Sequence, residues 1–92
     1  NALYDHADVA EVAVIGVPHE RWGETVMAMV VRAPEATVEA QELIEFSRTR
    51  LAKYKCPTSI EFVTELPRNA SGKLLKTELR APYWQHQQRA IS

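Results

Sequence analysis

Ninety-two residues with 11 basic and 12 acidic side chains carry a net charge of −1, which leaves no bulk attraction for nucleic acid or anionic lipid. Apolar content of 46% and charged content of 25% are those of one small folded domain with one core. The lone cysteine, Cys56, excludes a disulfide framework, no Cys/His spacing suits a metal, and no apolar stretch approaches the roughly 20 residues of a membrane span.

The chain opens on Ala2-Leu3-Tyr4, which reads as helical, with no initiator Met and no cap before it. A domain cut from a longer chain is the expectation. No signal peptide is visible, and a reducing, cytoplasmic setting is expected. Val9 to Val17, VAEVAVIGV, is a β-branched run that predicts a strand covered on both faces toward its end. A turn segment from Gly16 to Gly23 separates it from a second strand, Thr25 to Arg32, and the short connection predicts an antiparallel pair.

Ala33, Pro34 and Glu35 break the pattern, and Thr37 is the predicted cap of a helix. Ala40, Leu43, Ile44, Ser47 and Leu51 recur at helical spacing as one apolar stripe; Glu39 and Glu42 near its start and Arg48, Arg50 and Lys53 toward its end complement the dipole. Pro57 stops the helix. Ser59 to Val63 predicts a third strand. Leu74 to Leu79 predicts a last short helix halted before Pro82, followed by a polar tail whose state, helical or frayed, is open. The order helix, strand, strand, helix, strand, helix predicts a small α+β domain, a three-stranded sheet with helices packed on it. Its expected core is Val12, Val14, Ile15, Val26, Val30, Leu43, Ile44, Leu51, Ile60, Phe62 and Leu79.

Between the third strand and the last helix lies Leu66-Pro67-Arg68-Asn69-Ala70-Ser71-Gly72-Lys73. Lysine is a fixed positive charge suited to a phosphate or carboxylate, and Gly72 gives the loop that presents it backbone freedom. The alternative is a solvated lysine at a helix N-terminus, where it opposes the dipole. A Walker A loop is excluded, because Pro67 stands where its first glycine belongs and Leu74 follows the lysine in place of Ser or Thr. Arg68 reads either as a phosphate contact or as the partner of Glu65, with Glu65 favoured. Lys76, one turn on, reads as a solvated helix residue.

Two further clusters stand out. Trp22, within His19-Glu20-Arg21-Trp22-Gly23-Glu24, either folds over the local core or meets a partner. Arg21 points to a phosphate or to Glu24. Lys53-Tyr54-Lys55-Cys56-Pro57 is a basic, aromatic helix end that suits a nucleotide, or simply complements the dipole. His19 and His86 show no partner spacing, Glu11 and Glu61 are read as solvent-facing, and Cys56 has no histidine near it in sequence for a nucleophile's role.

The run LPRNASGKLLKTELR, residues 66–80, resembles the C-terminal signature of the adenylate-forming enzymes, the group of acyl-CoA synthetases, adenylation domains and luciferases. The resemblance implies that Lys73, preceded by Gly72, stabilises acyl-adenylate formation. Pro18 to Glu24 is similar to the P-x-x-R-W-G-E loop of acyl-CoA ligases, which implies Trp22 as a coenzyme A contact. Residues 54–57 resemble their Y-K-x-P segment, which implies Tyr54 and Lys55 along the coenzyme A path; Cys56 stands where some members have arginine. The tail from Leu79 to Trp84 looks like bacterial fatty-acid or aromatic-acid ligases.

What the resemblance implies is the C-terminal mobile domain, residues 1–92, of an acyl-CoA synthetase. Such an enzyme joins a small carboxylic acid to ATP, with Mg²⁺, and passes the acyl group to coenzyme A. The large N-terminal domain of the same chain, its partner, would hold the Mg²⁺ and the acid pocket, so this stretch alone is expected to be inactive. The alternative from the residues themselves is a non-catalytic nucleotide-binding or interaction module; the near-zero charge speaks against nucleic acid.

Overall fold

In a computed structural model, residues 2–52 and 55–91 are described, with side chains through residue 84. The β-branched runs form β1, Val9–His19, and β2, Gly23–Arg32. They pair antiparallel from Val9↔Arg32 to His19↔Gly23, with one irregularity between Val9 and Glu11. Both strands reach two residues closer to the turn than the run of valines suggests. Gly23 makes this possible, because at φ 79° it takes the left-handed conformation that closes a three-residue hairpin loop.

β3, Ser59–Phe62, lies parallel to β2, from Met27↔Ser59 to Val30↔Phe62, so the sheet order is β1-β2-β3. A parallel neighbour needs a crossover, and α1, Ala40–Arg48, supplies it. The first turn of the chain, Ala2–Asp5, is a 3-10 helix.

Period-2 alternation splits the core into two layers. Val12 and Val14 of β1, with Ala28 and Val30 of β2, face the 3-10 helix and α1 and meet Leu3, Val38, Leu43 and Phe46. Ala13, Ile15 and Val17, with Met29, face the other way and meet Leu66, Leu79 and Tyr83. Leu43 is 0% exposed, and so is Ser47, whose hydroxyl donates to the Ile44 carbonyl at 2.7 Å and so sits in the apolar stripe without an unpaired group.

The helix boundaries also differ from the sequence reading. Thr37 is not the cap of α1: Glu39 holds that place with extended backbone and no side-chain hydrogen bond. Val38 is buried, and its carbonyl accepts from Arg32 Nε at 3.0 Å, which keeps the chain extended past Thr37 as far as Glu39. α1 ends at Arg48, leaving Leu51 beyond it. The last helix, α2, spans Lys76–Ile91 and passes through Pro82. It starts late because Leu74 bridges to Arg68, and it continues past a residue with no N–H because contacts on both sides of Pro82 fix it. Leu79 and Tyr83 pack on the sheet, and Trp84 Nε1 donates to the Gly16 carbonyl at 2.8 Å. Among the described residues, no helix is long and apolar enough to cross a membrane.

Candidate functional site

Lys73 stands on a closed hairpin, not on an open loop. Asn69 N–H donates to the Lys73 carbonyl at 2.9 Å, and Gly72 N–H donates to the Asn69 carbonyl at 2.9 Å. Gly72 has φ 85°, a conformation costly for any residue with a Cβ. The Asn69 carboxamide oxygen accepts from Ser71 N–H at 3.0 Å, the Ser71 hydroxyl at 3.0 Å and Lys73 N–H at 2.9 Å. The backbone beneath Lys73 is therefore held from both sides while its side chain is exposed.

Arg68 fastens this hairpin to the sheet. Its guanidinium donates to the Gly72 carbonyl at 3.0 Å and pairs with Glu11 of β1 at 2.6 Å. The Glu11 hydrogen bond, with smaller help from Tyr4, raises the Arg68 pKa above its ordinary value. Glu11, 57 positions away, replaces the expected partner Glu65 and is thus not merely solvent-facing. Lys73 also lies ahead of α2, not in its first turn, so the opposition to the helix dipole expected of it there does not arise. Lys76, Leu75 and Thr77 share an open groove with Asn69 and Lys73.

Trp22 sits at the tip of the β1–β2 hairpin, 65% exposed. It does not fold over the core. It stacks on His19, ring centroids 4.5 Å apart and 14° from parallel, and His19 Nδ1 accepts from the backbone N–H of Arg21 and Trp22. His19 therefore has partners that its sequence spacing did not suggest, although an i, i+3 pair across a turn was there to be read. Glu24 turns to Arg80, at 3.7 Å, and not to Arg21.

The two sites lie at opposite ends of β1. Glu11 anchors the Lys73 hairpin and His19 carries Trp22, roughly 26 Å apart at about 3.3 Å per strand residue. Lys55 is exposed, whereas Lys53 and Tyr54 lie outside the described residues. Cys56 is buried, its thiol 3.5 Å from the Ala52 carbonyl, which suits packing and not attack on a substrate. Among the described residues, no group of three or more His, Cys, Asp or Glu is placed to hold a metal ion.

These features define an α+β domain, a three-stranded sheet with helices on both faces, that presents a lysine on a rigid hairpin at one end and a stacked aromatic pair at the other. Residues 1–73 match the family model of the AMP-binding enzyme C-terminal domain, and the match runs up to the lysine itself. The chain belongs to that family. It is 44% identical over 92 residues to a fatty acid–[acyl-carrier-protein] ligase, ScoC, of Streptomyces coeruleorubidus, covering all of this chain and 18% of that protein. It is 50% identical over 80 residues to a feruloyl-CoA synthase of Amycolatopsis, covering 87% of this chain and 16% of the relative. Among solved structures, a Mycobacterium tuberculosis fatty acyl CoA synthetase superposes with a TM-score of 0.81 at 45% identity, over 89% of this chain and 16% of the other. The chain thus spans less than a fifth of the relatives it matches.

Proposed function

We propose that this chain is the mobile C-terminal domain of a longer acid–thiol ligase, one that makes an acyl-adenylate and then a thioester. In the first half-reaction a carboxylate oxygen attacks the α-phosphorus of ATP, pyrophosphate leaves, and an acyl-adenylate forms. In the second, a thiolate attacks the acyl carbonyl, the C–O bond to AMP breaks, and the thioester forms. The observation that carries this reading is Lys73, an exposed ammonium on a hydrogen-bonded hairpin in a chain of the AMP-binding family. Negative charge grows on the α-phosphate oxygens as the acid attacks. A fixed ammonium beside them stabilises that charge without reorganising.

Trp22 belongs to the second half-reaction. Its exposed face, backed by His19, is a stacking surface for the nucleotide end of coenzyme A, with Tyr54 and Lys55 further along the same substrate. Since the lysine and the tryptophan sit at opposite ends of β1, a rotation of the domain would bring each in turn to the reacting centre. The acid pocket and the Mg²⁺ that accompanies ATP belong to the rest of the enzyme, and this chain alone is inactive. The thiol is that of coenzyme A, or that of an acyl-carrier protein, the acceptor in the name of the ScoC relative. A cytoplasmic location suits both.

The test uses the full-length enzyme. Lys73→Ala slows acid-dependent ATP–pyrophosphate exchange by about a hundredfold or more, while thioester formation from preformed acyl-adenylate stays within a few-fold of wild type. Equal loss in the two halves would sink the assignment.

A further inference from the structure

We propose that Asn69 and Arg68 are positioning residues for Lys73, a proposal that rests on the reading of Lys73 above. A lysine side chain is long and rotamer-rich, and its ammonium is aimed only as well as the backbone at its base is fixed. One atom dominates that base. The Asn69 carboxamide oxygen takes Lys73's own N–H at 2.9 Å, and it takes both the N–H and the hydroxyl of Ser71 at 3.0 Å. Asn69 also spans the turn with its backbone, through Lys73 carbonyl and Gly72 N–H. The residue is thus tied to Lys73 by two hydrogen bonds, and to Ser71 and Gly72 by three more, without touching the lysine's charge.

Arg68 does the complementary task. Asn69 shapes the hairpin, whereas Arg68 sets where the hairpin stands relative to the sheet. Its two terminal nitrogens serve different elements, one the Gly72 carbonyl at 3.0 Å and the other the Glu11 carboxylate at 2.6 Å. Gly72 immediately precedes Lys73, so this guanidinium connects β1 to the residue next to the lysine. A lysine at position 68 keeps a charge for Glu11, but its single ammonium lacks the two-armed fork that spans both acceptors. A misplacement of about 1 Å at a reacting centre costs about a hundredfold, so loosening either tie weakens catalysis while the ammonium remains.

The experiment measures both half-reactions in the full-length enzyme for wild type, Lys73→Ala, Asn69→Ala, Asn69→Asp, Arg68→Ala and Arg68→Lys. Asn69→Ala lowers kcat of acid-dependent ATP–pyrophosphate exchange by about ten- to a hundredfold, with KM for ATP and acid within about twofold, because alignment and not ground-state binding is lost. Asn69→Asp keeps the acceptor oxygen and recovers most of the rate. Arg68→Ala falls similarly and Arg68→Lys lies between. Thioester formation from preformed acyl-adenylate stays within about twofold in the Asn69 and Arg68 variants. Wild-type exchange in Asn69→Ala and Arg68→Ala, with Lys73→Ala inactive, overturns the proposal and leaves the lysine's role standing. So does an equal fall of both half-reactions, or an Asn69→Asp rate no better than that of Asn69→Ala. If Asn69→Ala does not fold, the Arg68 pair decides by the same criteria. Normal exchange in Lys73→Ala removes the lysine's role and this proposal with it.

Discussion

The indole N–H of Trp84 donates to the backbone carbonyl of Gly16 at 2.8 Å, across 68 residues of sequence. This bond ties the C-terminal half of α2 to the middle of β1, beyond the proline that interrupts the helix ladder. Arg80 extends the contact: its guanidinium lies 5.5 Å from the Trp84 ring centroid and 3.7 Å from the Glu24 carboxylate. α2 is thereby fixed to the same strand that carries the lysine hairpin at one end and the Trp22 hairpin at the other.

Trp84→Phe keeps a large apolar ring against the strand and removes the N–H donor. The expected loss is about 1–2 kcal/mol, the range for a hydrogen bond whose partly buried acceptor is left short. Equilibrium denaturation with urea reads it as a lower midpoint at unchanged m-value. No change in midpoint means that packing, and not the Trp84–Gly16 hydrogen bond, holds the proline-containing helix on the strand.

Gly16→Ala gives a smaller effect than its crowded surroundings suggest. A Cβ there would stand 2.6 Å from Glu24 Cδ and 2.7 Å from Oε1. Glu24 is an exposed, flexible side chain, so it swings aside and gives up a surface pair with Arg80 worth about 0–1 kcal/mol. Alanine in a strand regains about 0.5–1 kcal/mol over glycine. The net change in the denaturation midpoint is expected within about 1 kcal/mol of zero. A loss above that range means the obstacle is backbone and not Glu24.

The sheet was legible because Val9 to Val17 and Thr25 to Arg32 are locally consistent runs, and the expected three-stranded α+β fold follows from them. The parts that were not legible depend on contacts distant in sequence. Arg68 was read with Glu65, its neighbour in the chain, but β1 brings Glu11 to it from 57 positions away. Pro82 reads as a helix stop by every local rule, yet Leu79, Tyr83 and Trp84 hold the helix on both sides of it. The rigidity beneath Lys73 is half legible in the sequence: Gly72 signals backbone freedom, whereas an asparagine in a turn, although it commonly caps its own backbone, does not by itself say which N–H groups it takes. Trp22 and Lys73 were both singled out, but only the register of β1 separates them into two ends.

Gly72 sits at φ 85° with nothing within 4 Å of the place a Cβ would take, so conformation and not space decides what replaces it. Asparagine visits this region readily and β-branched residues do not. Gly72→Asn is expected to be mild, and Gly72→Val to cost about 1–2 kcal/mol in hairpin stability. In the full-length enzyme the valine variant loses pyrophosphate exchange well beyond the asparagine variant, with thioester formation from preformed adenylate close to normal in both. Equal rates for the two variants show that the left-handed turn is not needed to place the lysine.

Trp22 lies on the hairpin tip, 65% exposed, stacked on His19. So little burial means that Trp22→Ala changes stability by no more than about 0.5 kcal/mol, and any kinetic effect is one of recognition. Stacking of an aromatic ring on a base is worth about 1–3 kcal/mol. The apparent KM for coenzyme A therefore rises about five- to a hundredfold, while acid-dependent ATP–pyrophosphate exchange is unaffected and Trp22→Phe recovers part of the loss. The same variant assayed with a phosphopantetheinylated carrier protein as acceptor separates the two thiol classes. A carrier protein presents the pantetheine arm without the adenine, so a KM that rises for coenzyme A alone assigns Trp22 to the nucleotide end. An unchanged dependence on both acceptors removes Trp22 from the site and leaves its stack on His19 as a feature of the hairpin turn.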